Sequence, residues 1–157
     1  MRGTVLAVLA VVAMAGATGW AMSVSGHSSY EQDIVSAAER AGGSHFALPG
    51  QGAGASIAWN EGVLVCPYAQ IGNLPQRFIE AAEKLDVEAH EGRSWLLLAD
   101  GQNVRTVSID RLAVDMCGGL SGDLVEGSFP FTRDTRWIAE QQLAEQQARV
   151  LSPVASA

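Results

Sequence analysis

Cys66 and Cys117 are the residues of this sequence whose chemistry is easiest to name, and as the only two cysteines they allow a single bridge. A disulfide between them closes a loop of about 50 residues and, on the chain-entropy account, stabilises a domain by about 4 kcal/mol. The competing chemistry, a nucleophilic thiolate at Cys66, needs a neighbouring cation or a helix N-terminus to lower its pKa. The flanking Leu64-Val65-Cys66-Pro67 is apolar and extended in character and supplies neither, so the bridge is the expected state.

The other reactive residue types do not assemble along the chain. His27, His45 and His90 stand apart, without the HExxH, paired-cysteine or haem-attachment spacing that gathers ligands around a metal. Asp110 and Asp115 could serve as paired carboxylates, but strand alternation between them would turn them to opposite faces. Ser121 and Asp123 lack the GxSxG elbow that would give a triad its geometry. Gly50, Gly52 and Gly54 have the density of a phosphate-binding loop, yet they run into the strand-like Ser56-Ile57-Ala58-Trp59 and no lysine follows. The sequence therefore predicts no catalytic residue, no metal ligand and no cofactor. The stretch from Ser44 to Ala55 reads as a surface loop or a flap over a partner.

These residues must be positioned by elements that the periodicity outlines. A helix from Tyr30 to Ala41 is predicted, capped by Ser29 with Gln32 at the capping-box position and stopped by Gly42-Gly43. Asn60 and Gly62 predict a hairpin turn between Ser56–Trp59 and Val63–Cys66. A second helix carries Phe78, Ala81, Ala82 and Leu85 on one face, with Asn73 as its cap and Pro75 in its first turn. The run Ser94-Trp95-Leu96-Leu97-Leu98-Ala99-Asp100 predicts a strand buried on both faces, joined through Asp100-Gly101-Gln102-Asn103 to Val104–Asp110. Leu112, Val114 and Met116 alternate as a further strand.

Residues 34–40 resemble residues 78–84 at an offset of 44, and each predicted helix precedes a predicted hairpin. The fold class expected is α+β: a small two-layer α/β sandwich, with a duplicated αββ unit and both helices on one face as one way of building it. Thr135 to Leu151 has helix-forming composition and predicts a peripheral C-terminal helix. Its Trp137, Leu143 and Leu151, with Phe129 and Phe131 around Pro130, are the candidate partner-binding residues.

Ahead of all this stands Thr4 to Met22, uncharged throughout. Its 19 residues make about 28 Å of helix, the thickness of a hydrocarbon core. Leu6, Val8, Leu9 and Val11 supply the apolar body, and Trp20 at the outer end suits the headgroup layer. Arg2 precedes the run while Glu31, Asp33 and Glu39 follow it, which keeps the N-terminus in the cytoplasm and exports the rest. Ala15-Gly16-Ala17 and Gly19-Trp20-Ala21 also offer small residues at the spacing a signal peptidase reads.

The expected organisation is a transmembrane signal anchor or signal peptide at 1–22, a spacer at 23–29, an extracytoplasmic domain at 30–131, and a helix and tail at 132–157. A net charge of −7 with one lysine, Lys84, leaves no basic patch for nucleic acid or for anionic headgroups. The leading functional reading is an inner-membrane, single-pass, periplasmic interaction or accessory domain that binds an envelope protein partner without catalysis. A secreted soluble binding or inhibitor protein after signal cleavage is the alternative, and a small envelope hydrolase using His45 or His90 is the third.

Overall fold

Six consecutive buried residues, Ser94 to Ala99, make the strand Arg93–Asp100 the member that every layer is packed against. The computed structural model describes residues 28–50, 56–120, 126–140 and 148–154 of the chain. The expected membrane segment or signal peptide at 1–22, with Leu6, Val8, Leu9, Val11 and Trp20, lies outside the described residues, as do Leu143, Ser121 and Asp123. Among the described residues no helix is long and apolar enough to cross a membrane.

The elements in chain order are α1 (Ser29–Ala41), β1 (Phe46–Ala47), β2 (Glu61–Val65), α2 (Gln76–Ala82), β3 (Arg93–Asp100), β4 (Asn103–Asp110), β5 (Val114–Asp115), β6 (Ser128–Thr132), β7 (Arg136–Glu140) and β8 (Arg149–Val154). They form an α+β fold with two four-stranded sheets, ordered β4-β3-β2-β6 and β1-β7-β8-β5. The first sheet is antiparallel throughout, and the second is mixed because β5 runs parallel to β8.

Alternation along β3 divides the interior. Leu96 and Leu98 join Leu64 of β2, Val107 and Ile109 of β4 and Phe131 of β6 in a core closed by Tyr30, Ile34 and Ala38 of α1 and by Trp137 and Leu151 of the second sheet. Trp95, Leu97 and Ala99 join Val63 and Val65 in a second core under Phe78 and Ala82 of α2. The expected two-sided burial of β3 is thus observed, and so is its tight turn into β4, where Asp100 pairs with Asn103 around Gly101 at φ 60°. The two helices cover opposite faces of the β4-β3-β2-β6 sheet, which makes three layers rather than two.

Several expectations change. The cap of α1 is Ser28, one residue earlier, and its hydroxyl accepts the Glu31 N–H at 3.1 Å. Pro75 occupies the N-cap position of α2, after a single 3₁₀ turn at Ile71–Asn73. No hairpin forms through Asn60 and Gly62, because Gly62 lies inside β2, opposite Leu98 on one side and Phe131 on the other. A Cβ there would stand 2.5 Å from Phe131 Cζ, so this glycine makes room for a ring. With β1 and β2 in different sheets, the αββ repeat is not a structural duplication.

The C-terminal helix is replaced by strands: β7 pairs with β8, placing Trp137 opposite Pro153 and Ala139 opposite Leu151. At Arg136–Glu140 and Arg149–Val154, cross-strand pairing and the burial of Trp137 and Leu151 outweigh the helix expected there.

The expected disulfide is present, Cys66 to Cys117 at 2.09 Å. Cys66 follows β2 of one sheet and Cys117 follows β5 of the other, so the bridge fastens the sheets to each other across the larger core. Replacing both cysteines by serine is expected to lower the unfolding free energy by about 4 kcal/mol, read from denaturant melts of non-reduced protein. Gly62→Ala should cost about 1–3 kcal/mol by overpacking Phe131, with a lowered denaturant midpoint and an unchanged disulfide. A neutral result there would mean the ring yields freely.

Candidate functional site

The residues expected to carry chemistry are held in structural roles or stand alone. Asp115 receives Arg111 in a two-pronged ion pair, with Nε on Oδ1 and Nη2 on Oδ2, both at 3.0 Å. Its Oδ1 also accepts the Cys117 and Gly118 amides at 3.1 and 2.9 Å, so this carboxylate anchors the disulfide's second half. Asp110 accepts the Leu112 amide at 2.9 Å, which closes a turn. Neither aspartate faces the other as an acid–base pair. His45 and His90 are exposed, and among the described residues no group of three metal-ligating side chains converges.

Four of the candidate partner-binding residues lie in the interior. Trp137 and Leu151 are fully buried, Phe131 nearly so, and Phe129 packs against the same core. Edge-to-face contacts run from Trp59 to Phe131 at 5.4 Å, from Phe131 to Trp137 at 5.8 Å and from Trp137 to Phe129 at 5.9 Å. This ladder joins the two sheets, and aromatic pairs in this geometry contribute about 0.5–1.5 kcal/mol each beyond burial. Trp137, Leu151 and Phe131 are thus core residues, and Phe129 is partly buried against them.

The glycine-rich loop begins and ends on fixed points. At its start the Pro49 carbonyl accepts both the Tyr30 hydroxyl, at 2.5 Å, and the Trp59 indole N–H, at 2.6 Å. At its far end the Ser56 amide and hydroxyl both donate to Asp33 Oδ2. Residues 51–55 lie outside the described residues.

At the end of the first sheet formed by Glu61, the β3–β4 turn and Thr132, two shallow clefts of about 450 and 570 Å³ open. One is lined by Asp100 and Arg105, the other by Arg133, Asp134 and Arg136. Each holds both signs of charge, and neither lining brings a histidine or cysteine to the cleft.

The opposite end of the same sheet is different. Tyr68 follows β2, Glu91 precedes β3 and Leu112 follows β4, so three adjacent strands deliver them to one place. The Tyr68 hydroxyl donates to the Glu91 carboxylate, and Arg111 Nη1 donates to the Glu91 carbonyl at 3.0 Å. Tyr68 and Leu112 are the two exposed large apolar side chains of the described residues, at 59% and 75%.

Tyr68 adopts a left-handed backbone, φ 63°, held by its amide on the Val87 carbonyl at 3.0 Å. Such a conformation costs a non-glycine residue on the order of 1 kcal/mol and persists only where its surroundings enforce it. Beneath it Gly127, φ 84°, lies so close to Ala69 that a Cβ would stand 2.7 Å from its Cα. The hydrogen bond to Glu91, with the nearby charge of Glu88, keeps the Tyr68 phenol protonated above its ordinary range.

Comparison of the chain with known protein families, with curated proteins and with solved structures gives no match. The functional argument therefore rests on the chain's own residues.

The sequence pattern places Leu112 in a strand and does not single out Tyr68, so their convergence is not legible from it. The available signals were a tyrosine just after the Cys-Pro that ends a strand, and an aspartate two residues before an apolar side chain, the spacing of a side-chain-closed turn.

The clamp on Pro49 supplies a test. Burial, with Asp33 adding in the same direction, raises the Tyr30 phenol well above the ordinary 10.0 despite its hydrogen bonding beside Trp59. A raised folded-state pKa means that the folded protein holds this proton more tightly than the unfolded chain. Its contribution to stability is complete below about pH 10 and is lost as pH rises beyond it. Tyr30→Phe should cost about 1 kcal/mol at neutral pH, speed amide exchange at Gly50 and Ser56, and flatten the alkaline loss of stability. An unchanged alkaline limb would assign that loss to other groups.

Proposed function

We propose that this protein is a membrane-anchored extracytoplasmic interaction domain, an accessory subunit that binds a protein partner in the cell envelope and performs no catalysis of its own. The observation that carries the reading is the Cys66–Cys117 disulfide, set between two sheets in the main core. Disulfides of this structural kind form and persist in oxidising compartments such as the bacterial periplasm. That requirement agrees with the uncharged run from Thr4 to Met22 and with the placement of Arg2 before it, which orient a single-pass anchor with its N-terminus in the cytoplasm.

Tethering gives a binding module an effective concentration near membrane partners that a diffusing protein lacks. The small residues at Ala15-Gly16-Ala17 and Gly19-Trp20-Ala21 favour a second reading, a secreted binding or inhibitor protein released by cleavage.

Fractionation of cells producing the full chain, followed by N-terminal mass spectrometry and alkylation without reduction, separates the readings. The expected outcome is an integral inner-membrane protein with residues 1–22 retained and no alkylated thiol. A mature N-terminus at Thr18 or Met22 in the soluble fraction replaces the anchor with the secreted reading. Alkylation of Cys66 or Cys117 in native protein would remove the oxidising-compartment argument from both.

A further inference from the structure

We infer that Tyr68 and Leu112 are the apolar anchors of the surface on which the partner docks, and that the docking segment of that partner is apolar and basic. The inference rests on the interaction-domain reading above and names its face and its chemistry. Both side chains stand out from the protein on fixed backbone. Leu112 sits in a turn closed by its own amide on Asp110 Oδ1, by the Ala113 amide on the Asp110 carbonyl at 3.0 Å, and by the Arg111–Asp115 ion pair. Tyr68 is fixed by the Val87 carbonyl and, two residues back, by the disulfide at Cys66. Their strands flank β3, and Glu91 ahead of β3 links the two sides, its carboxylate accepting the Tyr68 hydroxyl and its carbonyl accepting Arg111, the residue before Leu112. A tyrosine held through its hydroxyl and an exposed leucine on a fixed turn are suited to act as binding anchors, because little backbone freedom remains to be lost on association.

Charge selects the partner. The connection from Asp86 to Gly92 carries Asp86, Glu88 and Glu91 with no lysine or arginine, and all three are exposed. Glu126 is exposed beside the same end, where its carbonyl accepts the Gln70 amide. The nearby arginines are committed elsewhere: Arg111 to Asp115 and the Glu91 carbonyl, Arg93 to Ser108, and Arg149, whose amide donates to the Ala113 carbonyl, to Glu39. The rim is therefore anionic, which attracts basic side chains and repels the anionic headgroups of a membrane surface.

A second copy of this chain is a poor occupant. Its basic end, with Arg133 and Arg136, presents no exposed large apolar side chain among the described residues to meet Tyr68 and Leu112. Pairing two copies face to face would instead set one anionic rim against another, which like charge disfavours.

The experiment places a photo-activatable benzoylphenylalanine at position 68 or at position 112 of the full-length protein, in the cells that make it. Positions 105 and 133 at the opposite end of the sheet serve as comparisons. All four sites are exposed, and alkylation without reduction confirms that each variant keeps its disulfide. The expected result is one adduct from positions 68 and 112, absent from 105 and 133, whose cross-linked peptide carries lysine or arginine beside apolar residues. Glu88→Lys with Glu91→Lys should lower its yield about tenfold, the effect of about 1.4 kcal/mol.

An adduct made only of two copies of this chain overturns the inference. So does a cross-linked peptide that is acidic, or a yield indifferent to the charge reversal. Adducts from 105 or 133 with none from 68 or 112 overturn this surface and leave the interaction-domain reading standing. No adduct from any of the four positions counts against both.

Discussion

Burial of β3 on both faces is the constraint from which the rest of this structure follows. A strand with Trp95, Leu96, Leu97 and Leu98 in succession cannot face water on either side, since each such side chain gains about 1.5–3 kcal/mol on leaving it. One helix can cover only one face. The chain therefore recruits α2 for the side that carries Trp95 and Leu97, and α1 together with a whole second sheet for the side that carries Leu96 and Leu98. The connections that hold these layers are long-range: the disulfide from β2 to β5, the aromatic ladder through Phe131 and Trp137, and Glu31 of α1 accepting the Asp110 amide at 2.7 Å at the end of β4. Each fastens a covering layer to the sheet it covers.

What could be read from the sequence was what short-range physics determines. The β3–β4 hairpin is fixed by a two-residue turn between matched runs, α1 by a hydroxyl cap and a left-handed glycine stop, and α2 by a proline at its start. The disulfide needed only a count of two. By contrast β6 pairs with β2 over more than sixty positions of chain, with Phe131 opposite Gly62 and Phe129 opposite Leu64, and no local pattern encodes that register. Gly62 illustrates the ambiguity. Asn60 and Gly62 have the composition of a turn, yet the glycine is there because an aromatic ring from another strand occupies the space of its side chain.

The second sheet was misread for a related reason. Arg136–Glu140 and Arg149–Val154 flank an alanine- and glutamine-rich stretch whose composition favours helix, while Trp137 and Leu151 owe their burial to contacts made across the core. Pro153 is tolerated in β8 because β5 pairs only with Arg149 and Val150, which leaves β8 without a second neighbour at its later residues. Once those aromatics are committed to the interior, the exposed apolar surface of the described residues reduces to Tyr68 and Leu112. Neither had been singled out, because what makes them neighbours is β3 between them.

The proposed docking surface and the disulfide are linked by two residues of chain. Cys66 fixes the end of β2, Pro67 restricts the backbone that leaves it, and Tyr68 is turned into the left-handed region with its amide on Val87. On the other side Asp115 accepts the Cys117 amide and the Arg111 guanidinium, and Arg111 in turn reaches the Glu91 carbonyl beneath the Tyr68 hydroxyl. Both halves of the bridge thus lead by short, saturated hydrogen-bond paths to the same patch. The strain at Tyr68 is offset by folding and not by binding, so a partner would meet the ring already in place. Under the proposed function, the disulfide and the docking patch belong to one connected unit, two residues of chain apart.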